Sequence, residues 1–133
     1  MLNQTLYVTD THSLLWYLSA SPRLSAAAKQ AFDKAQAGKA KVLVPVIVIA
    51  EMIFLIEKGR VETDVDKIIN RITGNPHYEV VPLRLEQVLR LKTETAIRTM
   101  HDRMIVCDGL IHDAKLITRD EAITQAGVVE VIW

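Results

Sequence analysis

Short apolar segments alternate with longer segments of helical periodicity along most of the chain. In the longer segments, apolar residues recur at the three- and four-residue spacing of an amphipathic helix, as Val65, Ile68 and Ile72 do. This alternation predicts an α/β fold of three layers, α/β/α, with a mostly parallel central sheet. The length of 133 residues predicts a single domain. The predicted strands are 5–9, 41–44, 78–81, 115–118 and 128–132.

Helices are predicted between these strands. Ser25 is a good N-cap for a helix over residues 26–37. The segment 46–56 is rich in β-branched residues, which favour a strand. Pro45 before it, Gly59 after it and the thirteen residues between them instead favour a buried helix. Two further helices are predicted over 63–73 and 85–96. Another begins at Asp102, and the last two directly follow Asp10 and Asp120.

Glu51 is the only ionisable residue in the apolar segment 42–56. Removing a carboxylate from water without a partner is costly, so Glu51 needs a cation, a set of hydrogen-bond donors or a water-filled cleft. No Lys or Arg stands at helical spacing from it within its own segment. A partner, if there is one, must therefore come from elsewhere in the chain or from a bound ion.

Three further acids stand at predicted element boundaries. Asp10 and Asp120 follow predicted strands, and the carboxyl ends of parallel strands share one edge of a sheet. Asp102 opens a helix that should face this edge, and Glu51 lies one to two turns into the helix after the second strand. Taken singly, each Asp could equally be a helix cap or a turn residue. Together, the four carboxylates are predicted to converge on a divalent metal, with one or two ions left open.

The residue types around these acids indicate a particular chemistry. Carboxylate ligands favour the hard ions Mg²⁺ or Mn²⁺ over Zn²⁺, and such ions assist phosphodiester hydrolysis. The hydroxyls of Thr11 and Thr118 could hold an acid or a water, or belong to ordinary threonines at strand ends. Arg98, Arg103 and Arg119 could contact nucleic-acid phosphates or balance the charge of the acids.

Composition restricts the binding partners and the cellular location that are expected for this protein. The net charge is zero, so binding to a polyanion would need a local basic patch. A single cysteine excludes an internal disulfide and suits a reducing cytoplasm. No apolar segment is long enough to span a membrane, and residues 1–10 lack the pattern of a signal peptide. We expect His12 and His101 to be exposed or structural histidines, and Cys107 to lie in the core. Asp108 and Asp113 are expected to face solvent, and Trp16 and Trp133 to pack against other residues.

Four segments together resemble a PIN-domain ribonuclease, the toxin component of VapBC-type toxin–antitoxin modules. They are YVTDTHSLLWYL, VPVIVIAEMIFLIEKGRV, MHDRMIVCDGLIHDAKLITRDEAI and VVEVIW, and they cover nearly the whole chain. The resemblance implies an α/β/α fold and an endonuclease that cleaves RNA with Mg²⁺ or Mn²⁺. It also implies a homodimer held inactive by a cognate antitoxin, whose arginine-bearing tail would enter the acidic cleft.

The same resemblance assigns roles to individual residues. Asp10, Glu51, Asp102 and Asp120 match the first, second, third and fourth acids of the family, and Thr118 matches the Ser or Thr often found before the last acid. The chain also departs from the family pattern. Many relatives carry an additional Asp three residues before the third acid, where this chain has Arg98 and Thr99, and Cys107 and Asp108 replace small residues in the following helix.

Two alternative functions remain open from the residues alone. An aspartyl-phosphate phosphatase of similar fold would need Asp-x-Asp after the first strand, but His12 occupies the second of these positions. A catalytically silent module could use an acidic cleft to dock a basic protein segment, which would suit the neutral net charge. Cleavage of RNA in the presence of metal separates the nuclease from both.

Overall fold

The structure, a computed structural model, describes residues 4–133. Residues 1–3 lie outside the described residues. They belong to segment 1–10, in which no signal-peptide pattern was found. Within the described range, no helix combines the length and the apolar character needed to cross a membrane.

The sheet contains five strands in the order β3-β2-β1-β4-β5, and every pair of neighbours is parallel. The central strands are apolar on both sides because helices cover both faces, and Val8, Val42 and Leu116 are fully buried. The predicted parallel sheet is therefore confirmed. The strands are β1 (Thr5–Thr9), β2 (Ala40–Pro45), β3 (Tyr78–Val81), β4 (Lys115–Ile117) and β5 (Val131–Ile132).

The connections between the strands form two layers of helices, which confirms the predicted α/β/α fold. The order from β1 to β3 runs in one direction across the sheet, and the chain then returns to β4 and β5 on the other side of β1. Right-handed crossovers consequently place the first four helices on one face and the last three on the other. The helices are α1 (Thr11–Leu18), α2 (Ala26–Gln36), α3 (Val46–Glu57), α4 (Val65–Thr73), α5 (Leu85–Arg90), α6 (Met100–Ile111) and α7 (Glu121–Ala126).

Local sequence signals explain several of these boundaries. Ser25 caps α2 as predicted, by accepting a hydrogen bond from the Ala28 N–H at 3.1 Å. Pro45 ends β2 and directly precedes α3, so strand and helix join without a loop. Gly59 follows α3 with a φ of 70°, a conformation that glycine adopts without steric cost.

Three elements near the C-terminus differ from their predicted bounds. α5 ends at Arg90 rather than at residue 96, and the Thr93 hydroxyl donates to the Arg90 carbonyl at 2.9 Å, which competes with further helix. α6 begins two residues before Asp102, which therefore lies in the first turn rather than at its opening. β5 covers Val131–Ile132 rather than 128–132, and Val128 and Val129 pack against the core just before it.

The expectation that α3 is buried holds for only part of its surface. Val48 and Met52 are buried, as their spacing on one face of a helix requires. Val46 and Ile53 are exposed, and 61% of Phe54 is accessible to solvent. An apolar residue composition on all sides of a helix predicted complete burial, but the neighbouring elements cover only one face.

Candidate active site

Asp10 follows β1 and also caps α1. Its Oδ1 accepts a hydrogen bond from the Ser13 N–H at 2.9 Å, so the capping role considered from the sequence is present. Its Oδ2 accepts a second hydrogen bond from the Thr118 hydroxyl at 2.6 Å. Burial raises the pKa of the Asp10 carboxyl above its ordinary value, although the hydrogen bonds from Ser13 and Thr118 act in the opposite direction. The side chain is thus held in one orientation at the carboxyl edge of the sheet.

Thr118 connects Asp10 to Asp120. The threonine is fully buried just after β4, the strand that pairs with β1. Its hydroxyl donates to Asp10 and accepts a hydrogen bond from the Asp120 N–H at 3.1 Å. Asp120 in turn caps α7, because its Oδ1 accepts from the Ile123 N–H at 2.9 Å. One buried hydroxyl therefore fixes the relative position of two predicted acids.

Glu51 is held from two sides in the middle of α3. The Thr11 hydroxyl donates to Glu51 Oε1 at 2.9 Å, and His101 Nδ1 lies 3.7 Å from Glu51 Oε2. About 30% of the Glu51 side chain is exposed, so the carboxylate reaches water. Among the described residues, His101 is the only basic side chain within 4 Å of it. The hydrogen bond from Thr11 and partial hydration therefore stabilise the Glu51 carboxylate, and no described Lys or Arg lies within 4 Å of it.

Asp102 lies in the first turn of α6. Its Oδ2 accepts a hydrogen bond from the Thr99 hydroxyl at 2.5 Å, and its side chain is partly exposed. An acid in the first turn also interacts favourably with the helix dipole. Thr99 was noted from the sequence only as a departure from the family pattern, and its contact with Asp102 was not predicted.

The site residues form two hydrogen-bonded groups at the same edge of the sheet. The groups are neighbours because Asp10, in one, directly precedes Thr11, in the other. One group joins Asp10 to Asp120, and the other joins Thr11 to Glu51. Asp102 makes a separate contact at the start of α6. Across residues 4–133, no three Asp, Glu, His or Cys side chains stand close enough together to hold a metal ion. Convergence of all four carboxylates on a divalent metal accordingly stays a prediction.

The three arginines considered either as phosphate contacts or as charge partners of the acids differ in their surroundings. The Arg103 guanidinium donates to two backbone carbonyls, at 2.6 and 3.2 Å, and so stabilises the segment before α6. Arg119 is exposed and its guanidinium lies 5.8 Å from the centre of the Trp16 ring. Arg98 is exposed as well. In the part of the chain that the structure describes, none of the three has a carboxylate within 4 Å.

Asp108 is the acid whose environment the sequence analysis predicted wrongly. It was expected to face solvent, but only 3% of it is exposed and it accepts a hydrogen bond from the Gln87 amide. Burial raises the pKa of the Asp108 carboxyl, mainly through loss of hydration. The signal was available, because Asp108 stands among apolar residues of α6 just as Glu51 does in α3. Asp113, by contrast, is exposed as expected.

Residues 7–129 match the family model of the PIN domain. The chain belongs to the PIN domain family. PIN domains are nucleases, so hydrolysis of a nucleic-acid backbone is the activity of this fold family. A search of curated proteins gives no match.

Solved structures support the PIN fold over nearly the whole chain. VapBC2 from Rickettsia felis, bound to a DNA fragment from its promoter, is 14% identical, with a TM-score of 0.69, and the match covers 96% of this chain and 97% of that one. FitAcB from Neisseria gonorrhoeae is 16% identical, with a TM-score of 0.63 and coverage of 94% and 95%. A toxin–antitoxin complex from Klebsiella pneumoniae is 17% identical, with a TM-score of 0.64 and coverage of 92% and 94%. At these identities the likeness concerns the fold.

PIN nucleases generally use divalent metal ions, and the residues at this edge of the sheet fit such an ion chemically. The available ligand atoms are carboxylate and hydroxyl oxygens, which Mg²⁺ and Mn²⁺ prefer. Asp10 has a pKa raised by burial, so a nearby cation would stabilise its charged form. Asp10, Asp120 and Glu51 remain candidate ligands, since no three of the described acidic, His or Cys side chains stand close enough together to form a ready metal site.

Proposed function

We propose that this PIN domain is an endoribonuclease that depends on Mg²⁺ or Mn²⁺ and acts as the toxin of a type II toxin–antitoxin system. The observation that carries the proposal is the link from Asp10 through the Thr118 hydroxyl to Asp120, beside a Glu51 oriented by Thr11. These contacts hold oxygen ligands at the edge of a parallel sheet where such folds bind ligands. Family membership and similarity to toxin–antitoxin structures further support it.

The residues of the chain have distinct parts in the proposed reaction. Asp10 and Asp120 present carboxylate oxygens just after neighbouring strands, and the Thr118 hydroxyl joins the Asp10 carboxylate to the backbone N–H of Asp120. Glu51, partly exposed, can accept a hydrogen bond from a water that approaches the scissile phosphate. We assign Asp102, in the first turn of α6, to the rim of the same site. A divalent ion, when bound, supplies positive charge that polarises the phosphate and favours water attack.

Cleavage of RNA by the purified protein tests this proposal. We expect cleavage with Mg²⁺ or Mn²⁺, loss of cleavage with EDTA, and a loss of at least about 100-fold with Asp10→Asn, since the substitution removes a charged ligand. Asp113→Asn is the matched control, because it makes the same chemical change at an exposed acid outside the site. Full activity of Asp10→Asn, or cleavage that persists without metal, would contradict the proposal.

The same experiments distinguish the two alternative functions. A silent binding module would leave RNA intact under all metal conditions while still binding a basic peptide. A phosphatase would instead release phosphate from a monoester and form a phosphoryl adduct on Asp10. His12 occupies the position of the second Asp that such a phosphatase needs, so we do not expect the phosphoryl adduct.

The toxin role has its own test. Expression in a bacterial host should arrest growth, and Asp10→Asn should relieve the arrest. We propose that the protein acts in the cytoplasm as a homodimer, and that an antitoxin inhibits it by placing an arginine-bearing tail in the acidic cleft. Light scattering on the purified protein measures the oligomeric state. Growth arrest that does not depend on Asp10 would separate toxicity from nuclease activity and refute the toxin proposal.

A further inference from the structure

A second concave surface lies beside the candidate active site, on the face of the sheet covered by α1–α4. We call it the basic groove, and define it by the cationic residues Arg23, Arg60, Lys67 and Arg71 that line it. It runs between α1 with its following turn on one side and the end of α3 with α4 on the other. Its volume of about 720 Å³ is large enough for part of a polymer rather than for a single ion.

The groove has a strong local charge in a protein whose net charge is zero. Glu62 is the one carboxylate among the groove residues, against four cations. None of those cations lies within 4 Å of a carboxylate in the described part of the chain. Arg71 donates to the Leu18 carbonyl at 3.0 Å and so has a fixed position. The charges of Arg23, Arg60 and Lys67 are left free for a bound anion.

The groove adjoins the cavity beside Glu51, one of the candidate site acids. His12 and Leu55 line the basic groove and also line the neighbouring cavity that contains Glu51 and His101. His12 lies two residues after Asp10 in sequence, so this junction adjoins the first acid as well. A flexible polyanion lying in the groove would reach the acidic edge without leaving the surface. A positive groove that leads to a negative site suits a ligand whose scissile phosphate must approach the acids while its other phosphates are neutralised.

We infer that the basic groove binds the phosphate backbone of the single-stranded RNA substrate on one side of the cleavage point. Arg23, Arg60 and Lys67 are the positioning residues, and they contact phosphates without taking part in bond cleavage. This inference rests on the proposed function, and it adds the path that the strand follows. It also moves phosphate binding away from Arg103, whose guanidinium is occupied by backbone carbonyls.

Two triple variants test the inference by an equal change in charge. The groove variant is Arg23→Gln, Arg60→Gln and Lys67→Gln, and the control variant is Lys34→Gln, Lys39→Gln and Lys92→Gln. The control lysines are exposed, lie outside the groove and pair with no carboxylate within 4 Å among residues 4–133. Each variant loses three positive charges, so a non-specific effect of net charge would appear equally in both.

Binding is measured without cleavage, in the Asp10→Asn background with EDTA. The probe is a short fluorescein-labelled oligouridylate, and its anisotropy is followed over a series of salt concentrations. For single strands, log K changes with log salt by about 0.7 per phosphate contact, so the groove variant should have a slope shallower by about 2. Its Kd should rise roughly 100-fold at about 0.1 M salt, while the control variant should change less than about 3-fold.

Steady-state cleavage with Mn²⁺ provides a second readout in proteins that retain Asp10. Because the groove contacts lie away from the bond that breaks, the groove variant should raise KM and leave kcat nearly unchanged. A merely structural role would instead lower kcat or the unfolding temperature, which is measured in the same preparations.

The outcomes separate this inference from the proposed function. If the wild-type protein cleaves RNA but the groove variant binds and cleaves equally well, the groove path is wrong and the nuclease proposal stands. If the oligouridylate binds through the groove but the protein cleaves no RNA with Mg²⁺ or Mn²⁺, the groove is an RNA-binding surface and the nuclease proposal fails. No binding of the oligouridylate overturns the inference. Stronger groove-dependent binding of a polyglutamate peptide also overturns it, and identifies an acidic protein segment as the better occupant.

Discussion

Replacing Asp108 by Asn should stabilise the protein at neutral pH but not at acidic pH. Asp108 lies in α6 with 3% exposure, and its Oδ1 accepts a hydrogen bond from the Gln87 amide. The same amide also donates to the Pro82 carbonyl at 3.2 Å, and Gln87 Oε1 accepts from the Arg84 N–H. An asparagine is nearly the same shape as the protonated acid, so it can keep the contact to Gln87 while removing the buried charge.

The direction of the pH effect follows from the raised pKa of Asp108, whose ordinary value is 3.8. Between 3.8 and the raised pKa, the folded protein holds a proton that the unfolded chain has released. The unfolding free energy of the wild type therefore falls as the pH rises through this window, and the penalty is complete above it. Each unit of pKa shift corresponds to about 1.4 kcal/mol. For a chain of 133 residues, about 1 kcal/mol corresponds to roughly 3–4 °C in Tm.

Urea unfolding from pH 4 to pH 8 in the presence of EDTA measures this effect. The difference in unfolding free energy between Asp108→Asn and wild type should increase with pH and then level off. Asp113→Asn, the same chemical change at an exposed acid, is the matched control. Asp108→Ala should lose about 1–3 kcal/mol at all pH values, since it deprives Gln87 of a buried partner. A difference between Asp108→Asn and wild type that is independent of pH, or that decreases as the pH rises, would refute the reasoning.

Further predictions concern the hydrogen bonds of the candidate site and one turn. Thr118→Val removes two hydrogen bonds, so it should lower the unfolding free energy by about 2 kcal/mol and reduce RNA cleavage. Thr118→Ser keeps the hydroxyl and should retain both hydrogen bonds. Equal activity of the two variants would count against the role of the hydroxyl. Thr11→Val should lower kcat about 10–100-fold because Glu51 loses its donor, and unchanged kcat would exclude that role. Gly127→Ala should cost about 1–2 kcal/mol in urea unfolding because its φ is 66°, and a smaller loss would show that the turn can relax.

Much of the fold could be predicted from the sequence because its signals are local. Runs of apolar residues marked the buried parallel strands, and capping residues such as Ser25 marked helix starts. Features that depend on distant neighbours were missed. The composition of α3 could not reveal that Phe54 lacks a covering element, and the charge of Asp108 suggested solvent although Gln87 meets it from another helix.

The candidate site was predictable to a similar extent and for similar reasons. The positions of Asp10 and Asp120 after strands were enough to place them at one edge, because parallel strands share their orientation. From the sequence, the Thr118 hydroxyl could either hold an acid or a water, or belong to an ordinary threonine at a strand end. In the structure it bonds the Asp10 carboxylate and the Asp120 N–H. The partnership of His101 with Glu51 joins two helices far apart in sequence, and no local pattern encodes such a distance.

The absence of a loop between β2 and α3 ties Glu51 rigidly to the sheet. Pro45 is the last residue of the strand and Val46 the first of the helix, so the direction of Glu51 is set by the number of residues that separate it from Pro45. One inserted residue would turn the carboxylate by about 100° around the helix axis, whereas four would return it to nearly the same face one turn farther out. At this junction, natural selection should therefore tolerate changes of sequence far better than changes of length.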